Sequence, residues 1–246
     1  PGKSVLLPKL DGKLAGVLFG IERPGDMIDP FRPGQLVNTL PPGIYRFANA
    51  PHDVRLAALA FATGAYQFTR YRKGEPSNVR LNVPDGLDGK ELSRIAEGVA
   101  LTRDLINTPS NDMGPDELEA AARALAKLHG GKIEVISGER LVKDFPLIHA
   151  VGMGSPRSPR LIDITWGKDS DPKITLVGKG VCFDTGGLDI KNDTGMLNMK
   201  KDMGGAATSL GLAHMIMSSR LKVRLRVLIP AVENSISGAS FRPRDI

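Results

Sequence analysis

One run of the chain combines glycines, carboxylates and lysines: Val177-Gly-Lys-Gly-Val-Cys-Phe-Asp-Thr-Gly-Gly-Leu-Asp-Ile-Lys191, followed by Met199-Lys-Lys-Asp-Met-Gly-Gly-Ala-Ala207. The apolar residues 174–177 come directly before it and predict a short strand. The amine of Lys179 is therefore expected at the carboxyl end of that strand. Because ligands in open α/β sheets bind beyond the carboxyl ends of the strands, this run is where a functional site is expected.

Two carboxylates and two lysines are interleaved in this run. Asp184, Lys191 and Asp202 follow Lys179 within one connection. Carboxylates bind divalent cations and a neutral lysine amine can also coordinate, so the four residues form a candidate metal cluster. The alternative is a solvated ion pair between Asp184 and Lys191 beside a turn at Gly186-Gly187. A phosphate-binding loop is a further alternative, but the spacing of a Walker motif is absent.

The sequence around this run predicts an α/β domain. Apolar periodicity predicts a helix at residues 91–106, further helices are predicted from Pro115 to about residue 130 and at 204–218, and apolar strands are predicted at 133–136, 161–166, 174–177 and 223–229. Alternating strands and helices imply a mostly parallel sheet flanked by helices. Lys222, Arg224 and Arg226 alternate with apolar residues, which predicts one wetted face and an edge position for the last strand.

The first 85 or so residues predict a smaller α/β unit. Short apolar runs alternate with turn-rich spacers such as Pro41-Pro42-Gly43, and a helix is expected at residues 52–66. Residues 75–89, rich in Pro, Gly, Asn and Asp, form the predicted boundary. We therefore expect an N-terminal α/β domain at 1–86 and a second domain at 87–246.

Composition narrows the functional classes. The 246 residues are 41% hydrophobic and 24% charged, as in folded globular proteins. No apolar run approaches the roughly 20 residues that span a bilayer, so no membrane association is expected. The single cysteine, Cys182, fits a reducing compartment, and a cytoplasmic location is expected. The chain begins with Pro1 rather than Met, which suggests a piece of a longer protein.

The net charge of +6 raises the alternative of a nucleic-acid partner. The basic residues are scattered, however, and local groups such as Arg70, Arg72 and Lys73 are typical of solvated faces. Nucleic-acid binding is therefore not the expected function. The four histidines lack metal-ligand spacing and are predicted to be structural, as is Cys182, which stands between Val181 and Phe183.

Taken together, the glycine, aspartate and lysine string resembles the signature of the leucyl aminopeptidase (cytosol aminopeptidase) family. The resemblance extends to Arg103-Asp-Leu-Ile-Asn-Thr-Pro-Ser-Asn-Asp-Met113 and to Pro230-Ala-Val-Glu-Asn234, Ser237-Gly238 and Arg242-Pro243. It covers residues 91–246. The first 85 residues resemble that family's variable N-terminal α/β domain only in position.

The resemblance implies a role for each of five residues. Lys179, Asp184 and Asp202 match metal ligands, with Asp184 bridging two divalent ions, Zn or Mn. Lys191 matches the lysine that polarises the scissile carbonyl. Met199 falls where the family lines the pocket for the first side chain of the substrate, although a methionine at this position is as readily a flexible filler of the core. All five are expected to contact the substrate.

The resemblance implies that N-terminal amino acids are released from peptides by a water that two metal ions activate. It also implies assembly as a hexamer. Thr185 replaces the family's usual serine and keeps its hydroxyl. The family's Asn-Thr-Asp-Ala-Glu-Gly-Arg motif, which supplies further ligands and an arginine, would follow Ile246. The chain is therefore expected to be inactive by itself. The alternative is a catalytically silent relative that acts as a nucleic-acid-binding or scaffolding protein.

Overall fold

A computed structural model of the protein describes residues 1–23, 25–49, 51–75 and 77–246. Contacts divide the chain into two compact units, Pro1–Ala96 and Glu97–Ile246. Among the described residues, no helix is both long and apolar enough to cross a membrane. The predicted α/β class, with a small N-terminal unit and a helix-flanked sheet, is confirmed. The domain boundary after residue 86 stays a prediction.

The N-terminal unit combines small sheets with one well-packed helix. Its elements are strands β1 (Ser4–Pro8) and β2 (Leu14–Phe19), a 3-10 helix (Arg32–Asn38), β3 (Gly43–Tyr45), helix α1 (Val54–Gly64), β4 (Val79–Leu81) and the start of α2 (Gly89–Asn107). β1 pairs antiparallel with β2, and β3 pairs parallel with β4. Asp53 caps α1 by accepting a hydrogen bond from the Leu56 amide at 2.9 Å. The predicted helix at 52–66 therefore forms, trimmed at both ends.

The second unit contains one five-stranded sheet and its flanking helices. After α2, its elements are a 3-10 turn (Ser110–Asp112), α3 (Pro115–His129), β5 (Lys132–Ser137), α4 (Gly138–Asp144), α5 (Pro146–Gly152), β6 (Arg160–Trp166), β7 (Lys173–Val177), β8 (Gly180–Asp184), α6 (Asp193–Met196), a second 3-10 helix (Met199–Met203), α7 (Gly204–Ser218) and β9 (Arg224–Asn234). The largest core cluster joins α3 and α7 to the sheet. Leu118, Ile164, Leu210 and Val227 are fully buried in it.

The strand pairing of this sheet is mixed. β5 and β6 are antiparallel, β6 and β9 are antiparallel, and β7 and β8 both run parallel to β9. The predicted mostly parallel pairing therefore holds only on one side of β9. The predicted edge position of the last strand is wrong, because β9 is paired on both sides. Its alternating charges mark a wetted face, on which Arg226 bonds Asp163 of β6 at 2.6 Å.

Two features of the strands were not predicted. β8 was predicted to be part of a connection. It was missed because its apolar run Val181-Cys182-Phe183 is buried on both faces and is too short to show a period. β9 continues past residue 229 through Pro230, although proline is disfavoured inside a sheet. In the parallel register, Pro230 stands opposite Lys179, where β7 and β8 are interrupted. The missing proline N–H thus coincides with a break in the ladder.

Candidate metal centre

Lys179 is held at the interruption between β7 and β8 by the start of α7. Its carbonyl accepts a hydrogen bond from the Ala206 amide at 2.9 Å, so a first-turn N–H of the helix is satisfied by the strand. Gly205 makes this approach feasible, since a Cβ there would lie 2.9 Å from the Lys179 amide nitrogen. The Gly-Gly-Ala-Ala segment therefore fixes the backbone from which the Lys179 side chain projects.

Asp202 faces Lys179 from the 3-10 helix Met199–Met203, which packs against β8. Lys179 Nζ lies 2.7 Å from Asp202 Oδ2, with the lysine side chain 57% exposed and the aspartate side chain 13% exposed. Oδ2 is buried and no donor is aligned with it, so this contact is an ion pair by distance without hydrogen-bond geometry. A buried carboxylate oxygen that lacks an aligned donor is a suitable ligand for a cation.

Lys200 and Met203 anchor the segment that carries Asp202. Lys200 Nζ donates to the carbonyls of Ile106 and Asn107 at 2.7 and 2.9 Å, which satisfies the carboxyl end of α2. Burial, together with the nearby charge of Arg244, lowers the pKa of Lys200. Met203 is fully buried in the core. Neither residue was predicted to be an anchor, because the partners of both are distant in the sequence.

A tight loop folds Lys191 back onto Asp184. Gly186 and Gly187 adopt φ values of +89° and +71°, which side chains disfavour. The Gly186 amide donates to Asp184 Oδ1 at 2.9 Å, and the Lys191 amide donates to the Thr185 carbonyl at 2.9 Å. Lys191 Nζ then lies 3.2 Å from Asp184 Oδ2. The pair is half-buried, with side-chain exposures of 30% and 21%.

Thr185 ties this loop to β9. Its hydroxyl lies 3.2 Å from Asn234 Oδ1, and its amide donates to the Asn234 carbonyl at 3.2 Å. The register of β8 against β9 shifts between Val181 and Asp184, so a β-bulge bends the strand just before the carboxylate. Bulges of this kind re-aim side chains and are frequent next to active sites.

The structure thus forms two lysine–aspartate pairs, Lys179 with Asp202 and Lys191 with Asp184. Among residues 1–23, 25–49, 51–75 and 77–246, no hydrogen bond or ion pair joins one pair to the other. Met199 is half-buried at the first residue of its 3-10 helix, outside the core clusters. The metal, substrate and catalytic roles of these five residues stay predictions.

A second charged cluster next to the site was missed by sequence reasoning. Glu233, the residue before Asn234, is 2% exposed, and its Oε1 accepts from Arg242 Nε and Nη2 at 3.0 and 2.6 Å. Arg157 Nη1 lies 3.3 Å from Glu233 Oε2, which has no aligned donor. Arg242 also pairs with Asp245 at 3.0 Å. The sequence signal for this cluster was an acidic residue, Glu233, at the end of an apolar strand.

The residues present fit a divalent cation in part. Asp184 and Asp202 supply hard oxygen ligands, and each now has a lysine ammonium where positive charge is needed. Within the described part of the chain, no three His, Cys, Asp or Glu side chains converge as a metal site. A centre built on this segment therefore combines two carboxylates with lysine and leaves coordination positions for other groups.

Among the described residues, Cys182, His129 and His214 form no hydrogen bond or ion pair with either lysine–aspartate pair. Cys182 is fully buried, and burial, with the charge of Glu233, raises the pKa of its thiol well above the usual range. His129 Nε2 lies 3.2 Å from His214 Nδ1, and His214 Nε2 lies 3.2 Å from Glu97 Oε2. The prediction that Cys182 is a core residue is confirmed.

Fold and site together define the class: an α/β protein with acid–lysine pairs beside the parallel strands of a mixed sheet. Residues 100–246 match the model of the cytosol aminopeptidase family, catalytic domain, and residues 1–84 match that of the M17 aminopeptidase N-terminal domain. The chain therefore belongs to the cytosol aminopeptidase family.

Individual relatives agree with this membership. A probable cytosol aminopeptidase of Rhizobium rhizogenes is 37% identical over 257 residues, covering 97% of this chain and 48% of the relative. The crystal structure of a cytosol aminopeptidase from Coxiella burnetii is 47% identical, with a TM-score of 0.89 over 99% of this chain and 53% of that one. The bottromycin maturation enzyme BotP, solved with Mn, is 29% identical, with a TM-score of 0.81 over 100% of this chain and 56% of that one. The chain spans about half the length of the curated relatives it matches.

Proposed function

We propose that this chain is part of a metal-dependent aminopeptidase that releases N-terminal amino acids from peptides. The observation that carries the proposal is the pair of lysine–aspartate contacts beside β8, with the buried, unaligned Oδ2 of Asp202 among them. Family membership supports it, since the relatives reported above include named aminopeptidases. Nothing in those relatives supports the alternative of a silent nucleic-acid-binding or scaffolding protein.

Lys179, Asp184 and Asp202 would hold two divalent ions, Zn or Mn, and Asp184 would contribute to both. When bound, the ions would supply Lewis-acid polarisation of the peptide carbonyl and a water of lowered pKa. Binding requires Lys179 to lose its proton, which a cation beside it favours. The relative BotP was solved with Mn, which supports manganese as one candidate.

Lys191 would stabilise negative charge that develops on the scissile carbonyl oxygen. Its ammonium is half-buried and is positioned by the Thr185 hydrogen bond and the two glycines before it, so little reorganisation is needed. Met199 would line the pocket for the first side chain of the peptide. The proposal includes a cytoplasmic location, which the names of the relatives support, and a homo-hexamer.

Replacement of Lys191 tests the catalytic role. In the full-length protein, Lys191→Ala is expected to lower kcat for hydrolysis of an amino-acid amide by about 100-fold or more, as for loss of a preorganised charge. Metal binding, measured by calorimetry, is expected to persist. Lys201→Ala, at an exposed lysine of the neighbouring 3-10 helix, is the matched control and should keep the activity. Unchanged turnover in Lys191→Ala would rule out the assignment.

Replacement of Asp202 tests the metal site independently of turnover. Asp202→Asn is expected to weaken Mn²⁺ binding by more than about 100-fold, since loss of even a partner behind a ligand costs 10–100-fold. Asp193→Asn, which removes an exposed carboxylate of the same segment, is the control and should bind Mn²⁺ normally. Equal affinity in the two variants would remove Asp202 from the ligand set.

A further inference from the structure

A cavity lies in the unit Glu97–Ile246, toward the opposite end of β9 from the Lys191–Asp184 pair. Its volume is about 620 Å³, within the range of small-molecule sites. Trp166, in its wall, is paired with Leu225 near the start of β9, whereas Asp184 is paired with Asn234 at its end. Leu225 and Asn234 are nine positions, about 30 Å, apart, and Pro230, which stands opposite Lys179, is five positions, about 17 Å, from Leu225, so the two places are separate.

The cavity wall has an apolar part formed by the ends of two helices and one strand. Met217 of α7 is 2% exposed, and Trp166 of β6 is half-buried beside it. The Trp166 indole N–H donates to the His129 carbonyl at 3.1 Å. Because its one polar atom is already bonded, the ring presents carbon atoms to the remaining surroundings. This wall suits the apolar body of a ligand.

Three cations surround the same cavity: Lys168, Arg220 and Lys222. Asp171 is the one acid among the lining residues. In the described ranges of the chain, none of these three cations forms an ion pair, whereas Arg224 close by pairs with Asp169 at 3.2 Å. Exposed lysines are usually just solvated, but here unpaired cations of two separate chain segments border one concave, partly apolar surface. The combination favours an anion.

Arg220 adds an independent indication. Its φ is +55°, the left-handed conformation at the end of α7, and its amide bonds the Met217 carbonyl at 3.1 Å. Glycine or asparagine is the usual residue at such a helix end. An arginine is therefore unusual at this turn, and its side chain is among those that line the cavity.

We propose that this cavity binds a small organic anion, with one acidic group on an aromatic or branched apolar body. Lys168, Arg220 and Lys222 would bind the acidic group, and Trp166 and Met217 would contact the body. The site is distinct from the proposed metal centre and does not depend on the proposed activity.

The test uses Trp166, the only tryptophan of the chain, as the reporter. Phenylacetate is titrated into the protein while Trp166 fluorescence is followed, beside acetate, which lacks the apolar body, and phenylacetamide, which lacks the charge. A saturable change with phenylacetate alone is the expected result. An equal response to phenylacetamide, or no saturation with phenylacetate, would overturn the proposal.

Variants of the cations make the test specific to the cavity. Arg220→Asn keeps a residue that tolerates the left-handed backbone, and Lys222→Gln removes the charge but keeps a polar side chain one atom shorter. Each is expected to weaken phenylacetate binding by about tenfold, as for loss of one charged hydrogen bond. Lys143→Gln removes an equal charge from the exposed side of α4 and is the matched control. Urea unfolding midpoints verify that the variants fold. Unchanged binding in both cavity variants, or equal weakening in Lys143→Gln, would contradict the assignment.

Discussion

At the scale of single residues, the structure separates charges that are functional candidates from charges that stabilise the fold. Glu233 is buried against Arg242 and lies close to Arg157, so its carboxylate compensates cations that have left water. Glu134, also on a strand, bonds Arg140 at the same 2.6 Å distance as the Glu233–Arg242 pair, but both side chains are more than half exposed. A 2.6 Å ion pair is therefore expected to affect the free energy of unfolding strongly where it is buried and weakly where it is exposed.

Glu233→Ala is expected to lower the free energy of unfolding by about 3–5 kcal/mol, because it removes the buried carboxylate beside Arg157 and leaves Arg242 with Asp245 as its remaining acid. Glu134→Ala, the matched control, should cost at most about 1 kcal/mol, since water screens an exposed pair. Urea denaturation of the two variants measures the difference. Similar losses in both would mean that the buried cluster is hydrated or rearranges.

His129 supplies a prediction about acid. Burial, assisted by the charge of His214, lowers its pKa below the usual value. As pH falls below about 6.5, the unfolded chain gains a proton at this position before the folded chain does. The free energy of unfolding should therefore fall on the acid side and be independent of this group at higher pH.

The measurement is the urea midpoint at about pH 7.5 and at about pH 5.5, on either side of the ordinary histidine pKa. His129→Gln should reduce the fall by at most about 1.4 kcal/mol per pH unit. His52→Gln, at an exposed histidine, is the control and should keep the fall. An identical pH dependence in His129→Gln and the unaltered chain would show that other groups cause it.

At the scale of elements, the long helices α1, α2, α3 and α7 were predicted, whereas the short helices α4, α5 and α6 and strand β8 were not. α7 was predicted at residues 204–218 and forms at Gly204–Ser218, because the hydrogen bonds of a helix join residues that are close in the sequence. β8 and the last part of β9 depend on pairing partners distant in the sequence, and Pro230 signalled an end that the structure does not have. For the site, the charged string was visible, but the roles of Lys200, which anchors the Asp202 segment, and of the buried Glu233 depend on partners distant in the sequence.

The junction of α7 with Lys179 gives the element-scale prediction. Gly205→Ala should normally favour a helix, but its Cβ would lie 2.9 Å from the Lys179 amide nitrogen. We expect a destabilisation of about 1–3 kcal/mol, as for overpacking, with displaced amide NMR signals around Lys179. Gly204→Ala is the matched control, because its Cβ would meet only Ile106 Cδ1 at 3.7 Å, and it should be neutral or stabilising. If Gly205→Ala were instead stabilising, the backbone at Lys179 would be able to move away from the new Cβ at little cost in free energy.

At the scale of the whole molecule, many of the basic residues behind the net charge of +6 are paired with acids. Arginines of both units bond acids, as Arg55 does with Glu91 and Arg226 with Asp163. Each unit also has its own core: Leu36, Phe61 and Val79 in the first, and the α3, α7 and sheet cluster in the second. Separate cores are the physical requirement for separate unfolding.

The aromatic residues provide a separate probe of each unit. Tyr45, Tyr66 and Tyr71 are the only tyrosines and lie in Pro1–Ala96, whereas Trp166, the only tryptophan, lies in Glu97–Ile246. Ile164→Ala, which empties part of the second core, should lower the stability reported by Trp166 fluorescence by about 2–5 kcal/mol. Phe61→Ala should instead shift the unfolding transition reported by tyrosine absorbance. If both probes move together in each variant, the two cores unfold as one cooperative unit. Separate shifts would show that the candidate metal centre and the anion cavity depend on the second core alone.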